Sequence, residues 1–169
     1  PTDCLIPYIQ VADPRRADYH DLRDPELRNG RGLFVAESTE VIQTVLTAPR
    51  YRVRSVLLTA NAYTRLQPLL VDHPAEVLIA TRELQTAITR VQLHRGGLAL
   101  VERGPAPTLE DVLHPNMRRI VLLEDVTNPD NVGSIFRTAR AFGVDAVVMS
   151  PGCADPLYRK TVRVSLGAA

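Results

Sequence analysis

Residues 120–150 constrain the fold more than any other stretch. Residues 120–126 read as a buried strand, 128–131 as a loop, 132–142 as a helix stopped by Gly143, and 145–150 as a second strand. Two apolar strands joined through a helix are the signature of a parallel pair made by a right-handed crossover, with the helix packed on the sheet. Parallel strands are covered on both faces and read as nearly continuous apolar runs. An α/β class follows.

Upstream, strand-like runs at 32–37, 53–59, 75–80 and 97–102 alternate with amphipathic stretches. Ser38 is placed to cap a helix over 39–47, Asn61 one over 62–70, and Thr81 one over 82–91. This alternation predicts a parallel-type sheet flanked by helices. Residues 13–28 are polar, punctuated by Pro14 and Pro25, and predict one or two short helices. Gly104-Pro105-Ala106-Pro107 suits an interdomain linker, with a short helix over 109–113 before Pro115. The expected organisation is a small αβα unit over 1–104, a linker over 105–118, and a second α/β unit beginning at 119. A chain of 169 residues accommodates two such small units.

At 45% hydrophobic and 23% charged residues, the composition is that of a globular protein. Its longest apolar runs, residues 120–123 and 146–149, fall far short of the roughly 20 residues of a membrane span. No charged-then-apolar leader is seen, and Cys4 and Cys153 have no metal-like spacing, so a cytoplasmic protein without membrane or metal is expected. Among 20 basic residues Lys160 is the sole lysine. Arginine suits bidentate phosphate contacts and base stacking better than lysine does, although genomic base composition explains the same bias. The net charge of +1 confines any nucleic-acid footprint to a local patch.

The stretch 123–143 carries the chemistry. On its helix Val132, Ile135, Phe136, Ala139 and Phe142 share the expected core face. Gly133, Arg137 and Arg140 are expected on the opposite side, over a helix start whose free N–H groups favour an anion. Gly133 leaves room there for a ligand to approach the backbone. Asp125, Asn128 and Asn131 fall in the loop beyond the strand, where open α/β sheets bind ligands. Plain turn and cap roles for Asn128 and Asp130, and a solvated Arg137, fit the same residues. A dinucleotide fingerprint fails because Gly133 stands alone, and Thr127 and Pro129 break a calcium-loop pattern.

The pattern of Asp125, Pro129, Asn131, Gly133, Arg137, Thr138, Ala139 and Gly143 resembles the first signature of the SpoU/TrmH branch of SPOUT RNA methyltransferases, N-x-G-x-x-x-R-T-A…G. Residues 160–168, with Ser165 and Gly167, are similar to that family's R-x-S-x-G-A segment. Upstream, FVAEST, VRSVLLT and LHRGGLALVE resemble the substrate-binding domain of many members, with Ser38 where the common form has Gly and Arg95 where it has Gln.

The resemblance implies methyl transfer from S-adenosylmethionine to a ribose 2′-hydroxyl of RNA, with rRNA favoured over tRNA. It implies an activating role for Arg137, support from Asn131, and a homodimer packed through the catalytic domain. Since free arginine is a poor base, Arg137 either removes the proton or orients and stabilises. The later family motifs, a Gly-rich loop and a Ser-Leu-Asn segment threaded as a trefoil knot, are not in these residues. A longer protein is therefore expected, with cofactor contacts mostly beyond Ala169; a degenerate, RNA-binding-only member is the alternative.

Weaker candidates for RNA contact are Arg52 and Arg54, interleaved with Arg50 and Tyr51, and the loop at His94 and Arg95. Arg15, Arg16, Arg23, Arg28 and Arg31 are interleaved with acids and read as a salt-bridged surface. His20, His73 and His114 are scattered, and Cys153 reads as a packing or loop thiol.

Overall fold

The computed structural model describes residues 9, 13–20, 22, 24–89 and 96–169. A 3₁₀ turn over Pro14–Tyr19 and helix α1 (Asp24–Glu26), which widens into a π-type turn over Leu27–Arg31, lead into strand β1 (Leu33–Glu37). There follow α2 (Thr39–Thr47), β2 (Arg52–Leu58), α3 (Ala60–Leu70), β3 (Glu76–Ile79), α4 (Arg82–Thr89) and β4 (Gly97–Glu102).

The four strands form one sheet in the order β1-β4-β2-β3. It is mixed rather than parallel: β2 and β3 pair in parallel, while β4 runs against both β1 and β2. After α4 the chain enters between β1 and β2 from the opposite end. Alternation of strands and helices does not encode that direction.

Both faces of the sheet are covered, hence the near-continuous apolar strands. Phe34, Ala36, Val56 and Leu58 pack with Val41, Ile42 and Leu66 of α2 and α3. Leu33, Val35, Leu57 and Leu100 pack on the other side with Tyr19, Leu27 and Ile88. The Tyr19 hydroxyl lies 2.7 Å from Ser55 Oγ, and burial pushes its phenol up from the ordinary value. Ser38 caps α2 as expected. Thr59, not Asn61, caps α3, because the helix starts earlier, at Ala60. Thr81 Oγ1 accepts the Leu84 N–H at the start of α4, whose expected end at 91 lies outside the described residues.

Beyond Gly104-Pro105-Ala106-Pro107, Thr108 and Asp111 form a reciprocal capping box on α5 (Leu109–Val112). Strand β5 (Ile120–Leu123), helix α6 (Pro129–Ala141) and strand β6 (Ala146–Met149) make the parallel crossover, with Leu123 opposite Met149. Strand β5 is shorter than expected and only half covered. Asp125 turns the chain with φ 48°, and Ile120 and Leu122 are exposed. Helix α7 (Arg159–Ser165) follows.

The second sheet does not stand apart from the first. Val162 of α7 is 3% exposed and joins the core of the four-stranded sheet, with Leu157 packed beside it. Arg159 reaches back to the buried Glu37 at the end of β1, its Nη2 2.8 Å from Oε2. Arg103 meets the buried Asp155, Nη2 2.7 Å from Oδ2. No described helix is long and apolar enough to cross a membrane.

Candidate functional site

Helix α6 begins at Pro129, inside the stretch 128–131 expected as a loop, because Asn128 caps it. Asn128 accepts the Asp130 N–H at 2.8 Å, and Pro129 occupies the first turn, where its missing N–H costs nothing. The helix ends at Gly143, whose φ of 64° lets its N–H return to the Arg140 carbonyl. Asn131 is exposed in the first turn, and its carbonyl accepts the Ser134 hydroxyl.

Arg137 is exposed and, among the described residues, makes neither a hydrogen bond nor an ion pair. Nearby cations are engaged. Lys160 Nζ is 2.6 Å from Asp130, and Arg140 Nη1 donates to the Gly167 carbonyl at 3.4 Å. That contact joins the two signature stretches in space. Ser165 is buried; its hydroxyl donates to the Val162 carbonyl and accepts the Ala169 N–H. Gly167 has φ 75° and lies over Thr44.

The expected orientation of α6 needs correction. Gly133 is buried, not a ligand platform: a Cβ there would stand 2.7 Å from the Thr161 carbonyl oxygen and 2.9 Å from Val164 Cβ. The helix buries Val132 and Ala139 as well as Gly133, and Gly133 lies against α7. Phe142, expected in the core, is 70% exposed at the lip of a cavity of about 280 Å³ shared with Ile135, Val121 and Val144. A single amphipathic wheel cannot reveal a second helix packing on a glycine.

The loops after β5 and β6 brace one another. Asp125 N–H donates to Ser150 Oγ at 2.9 Å, and that hydroxyl donates to Asp125 Oδ1 at 3.1 Å. Gly152 lies beside them, and a Cβ there would displace the Asp125 carboxylate.

Of the other candidates, Arg52 and Arg54 are exposed on β2, and His94 and Arg95 lie outside the described residues. Tyr51 is not open to a base: Arg50 stacks on its ring at 4.4 Å and Phe34 meets it edge-on at 5.3 Å. Arg15 and Arg31 pair with Asp13 and Asp18, as the interleaved acids imply. Asp155 was not singled out by sequence; one aspartate flanked by Ala154 and Pro156 carries no signal of its long-range partners. Thr161, whose buried hydroxyl has no hydrogen-bond partner among the described residues, was equally silent. Among the described residues no cluster of metal-ligating side chains occurs.

Residues 118–169 match the model of the SpoU rRNA Methylase family. A tRNA/rRNA methyltransferase of Mycobacterium tuberculosis, itself uncharacterised, is 38% identical over 161 residues, 93% of this chain and 55% of the relative. The 23S rRNA guanosine 2′-O-methyltransferase of Bacillus subtilis is 26% identical over 89% of this chain and 57% of its own length. The AdoMet-bound rRNA methyltransferase from Sinorhizobium meliloti superposes with a TM-score of 0.75 at 25% identity, over 94% of this chain and 59% of that one. The chain thus spans about half the length of the curated relatives it matches. With the signature of α6, its join to the Ser165–Gly167 segment and these likenesses together, the chain belongs to the SpoU methylase family of RNA methyltransferases.

Proposed function

We propose that the whole protein transfers a methyl group from S-adenosylmethionine to a ribose 2′-hydroxyl of RNA, ribosomal RNA before tRNA, as a cytoplasmic homodimer. The observation that carries this reading is the free guanidinium of Arg137. Lys160 and Arg140 on the same helix pair are already engaged, while Arg137 stands exposed and without a partner among the described residues. Guanidinium donors left open in this way fit a phosphate oxygen bidentately.

A ribose hydroxyl is a weak nucleophile, and its attack develops negative charge on the 2′-oxygen. Arg137 holds the adjoining phosphodiester and places positive charge where the alkoxide develops. A guanidinium does not give up its proton in a protein, so Arg137 stabilises and orients, and the proton of the hydroxyl leaves to another acceptor. Asn131, exposed in the first turn of α6, offers an amide to the same ribose.

S-adenosylmethionine supplies an electrophilic methyl group on a sulfonium. Beside Gly152, in the loops after β5 and β6, Asp125 and Ser150 hydrogen-bond each other. The described residues form the nucleophile's side of the reaction.

The test is transfer of radiolabelled methyl to unmodified 23S rRNA, with the product digested by alkali. Label retained in an alkali-resistant dinucleotide is the expected result, because a 2′-O-methyl group blocks cleavage of the following phosphodiester. Label released on a base overturns the ribose assignment.

A further inference from the structure

The π-type turn after α1, the start of β1, the end of β4 and the start of β2 enclose an open cleft of about 660 Å³ away from α6. Arg28, Arg31, Arg54 and Arg103 line it. Among the described residues these guanidiniums are not matched by an equal number of carboxylates. Asp18 serves both Arg31 at 2.9 Å and Arg54 at 3.1 Å. Asp155 serves both Arg103 at 2.7 Å and Arg28 at 3.3 Å. Glu102, also in the lining, has Arg52 at 3.7 Å. Five guanidiniums therefore share three carboxylates, and each retains N–H donors that its partner cannot accept.

Local backbone structure aims these groups. In the β2–β4 ladder Val53 faces Val101 and Ser55 faces Leu100, which leaves Arg54 as the extra residue of a β-bulge. Bulges re-aim a side chain at the cost of a ladder contact. Its side chain is 50% exposed, and that of Arg28 is 51% exposed. Gly32 and Gly104, both at positive φ, line the same cleft with nothing within 4 Å of where a Cβ would stand. The floor is bare backbone, open to a ligand that must lie close to it.

We propose that this cleft binds the phosphodiester backbone of the RNA substrate, apart from the Arg137 site. Excess positive charge, exposed guanidiniums and an open floor fit a chain of phosphates without base-specific contacts. Asp155 lies in the segment that matches the family, and Arg28, Arg31, Arg54 and Arg103 lie upstream, so RNA in the cleft touches both parts of the chain. The inference rests on the RNA reading above and deepens it by adding a second contact region.

The experiment measures binding of a fluorescein-labelled RNA hairpin by anisotropy across a salt series, using the whole protein. Arg28→Gln with Arg54→Gln is expected to weaken binding about tenfold and to flatten the slope of log affinity against log salt by about 1.5. Arg65→Gln, on the distant α3, is expected to change neither. Asp18→Asn removes the carboxylate that occupies Arg31 and Arg54, and is expected to tighten binding several-fold. A purely structural role for that aspartate would not tighten it. Affinity and slope unchanged in the double variant, with Asp18→Asn no tighter than wild type, would overturn the cleft. So would inorganic phosphate, at constant ionic strength, competing as well as RNA of equal phosphate content, since the site would then hold a single anion. Binding that follows these expectations without methyl transfer overturns the proposed reaction and leaves the cleft standing. Methyl transfer with a binding-neutral double variant does the reverse.

Discussion

Gly133 and Thr161 meet where α6 crosses α7, and a Cβ on the glycine would stand 2.7 Å from the threonine carbonyl oxygen. Alanine is the better helix former by about 1 kcal/mol, so an exposed glycine here would gain from replacement. Forcing two backbones apart costs about 1–3 kcal/mol and outweighs that gain. Gly133→Ala is expected to destabilise the protein by up to about 2 kcal/mol in urea unfolding. A stabilised variant would mean that α7 does not pack there.

Ser38 carries φ 88° and ψ 151°, in a region that favours glycine, while its hydroxyl caps Val41 N–H at 3.4 Å. Such backbone strain costs on the order of 1–3 kcal/mol, whereas replacing a serine cap by glycine costs only a few tenths. Ser38→Gly is expected to raise stability by about 1 kcal/mol, and Ser38→Ala, which keeps the strain and loses the cap, to lower it by about 1 kcal/mol. Thermal melts of the two variants should shift in opposite directions.

Glu37 and Arg159 tie α7 to the first sheet, with the carboxylate side chain 1% exposed and the guanidinium 16%. Removing one member of a buried pair costs about 3–5 kcal/mol, because the remaining charge stays out of water. Arg159→Ala is expected to destabilise by about 3 kcal/mol, with much of the loss recovered when Glu37→Gln is added. Denaturant unfolding of the single and double variants measures that coupling.

Asp145 accepts the Arg118 N–H at 2.8 Å and the Arg119 N–H at 2.9 Å. These bonds, that from Arg118 first, hold its carboxyl below the usual value of 3.8. The folded state therefore prefers the ionised form. Its contribution is fully present above pH 3.8 and disappears as pH falls through the lower folded value. Asp145→Asn is expected to flatten the acid limb of stability against pH in that window. An unchanged acid limb would remove Asp145 from the group of stabilising carboxylates.

Local rules carried much of this architecture. Ser38 before 39–47 and Gly143 after α6 mark helix ends that the backbone obeys, because caps act within one turn, whereas α6 starts at Pro129, inside the stretch expected as a loop. Relationships across the chain were not legible. The direction of β4, the burial of Gly133 and the ties of Asp155 depend on which surfaces meet. Leu122 shows the converse limit: an apolar run predicts a buried strand, yet Leu122 is 67% exposed. At the candidate site, the residue types of the Asn131–Arg137 pattern were visible in sequence. The absence of a partner for Arg137 among the described residues emerged only when Lys160 and Arg140 were seen to be engaged.

The most direct test of the central claim is single-turnover methyl transfer to 23S rRNA by the whole protein, wild type against Arg137→Ala, with RNA saturating in both. Loss of a preorganised charge at a developing oxyanion costs about 10²–10³ in rate. The expected result is a fall of that size with the thermal melt unchanged, since Arg137 makes no contact among the described residues that the fold would lose. Transfer by Arg137→Ala at the wild-type rate would contradict the account.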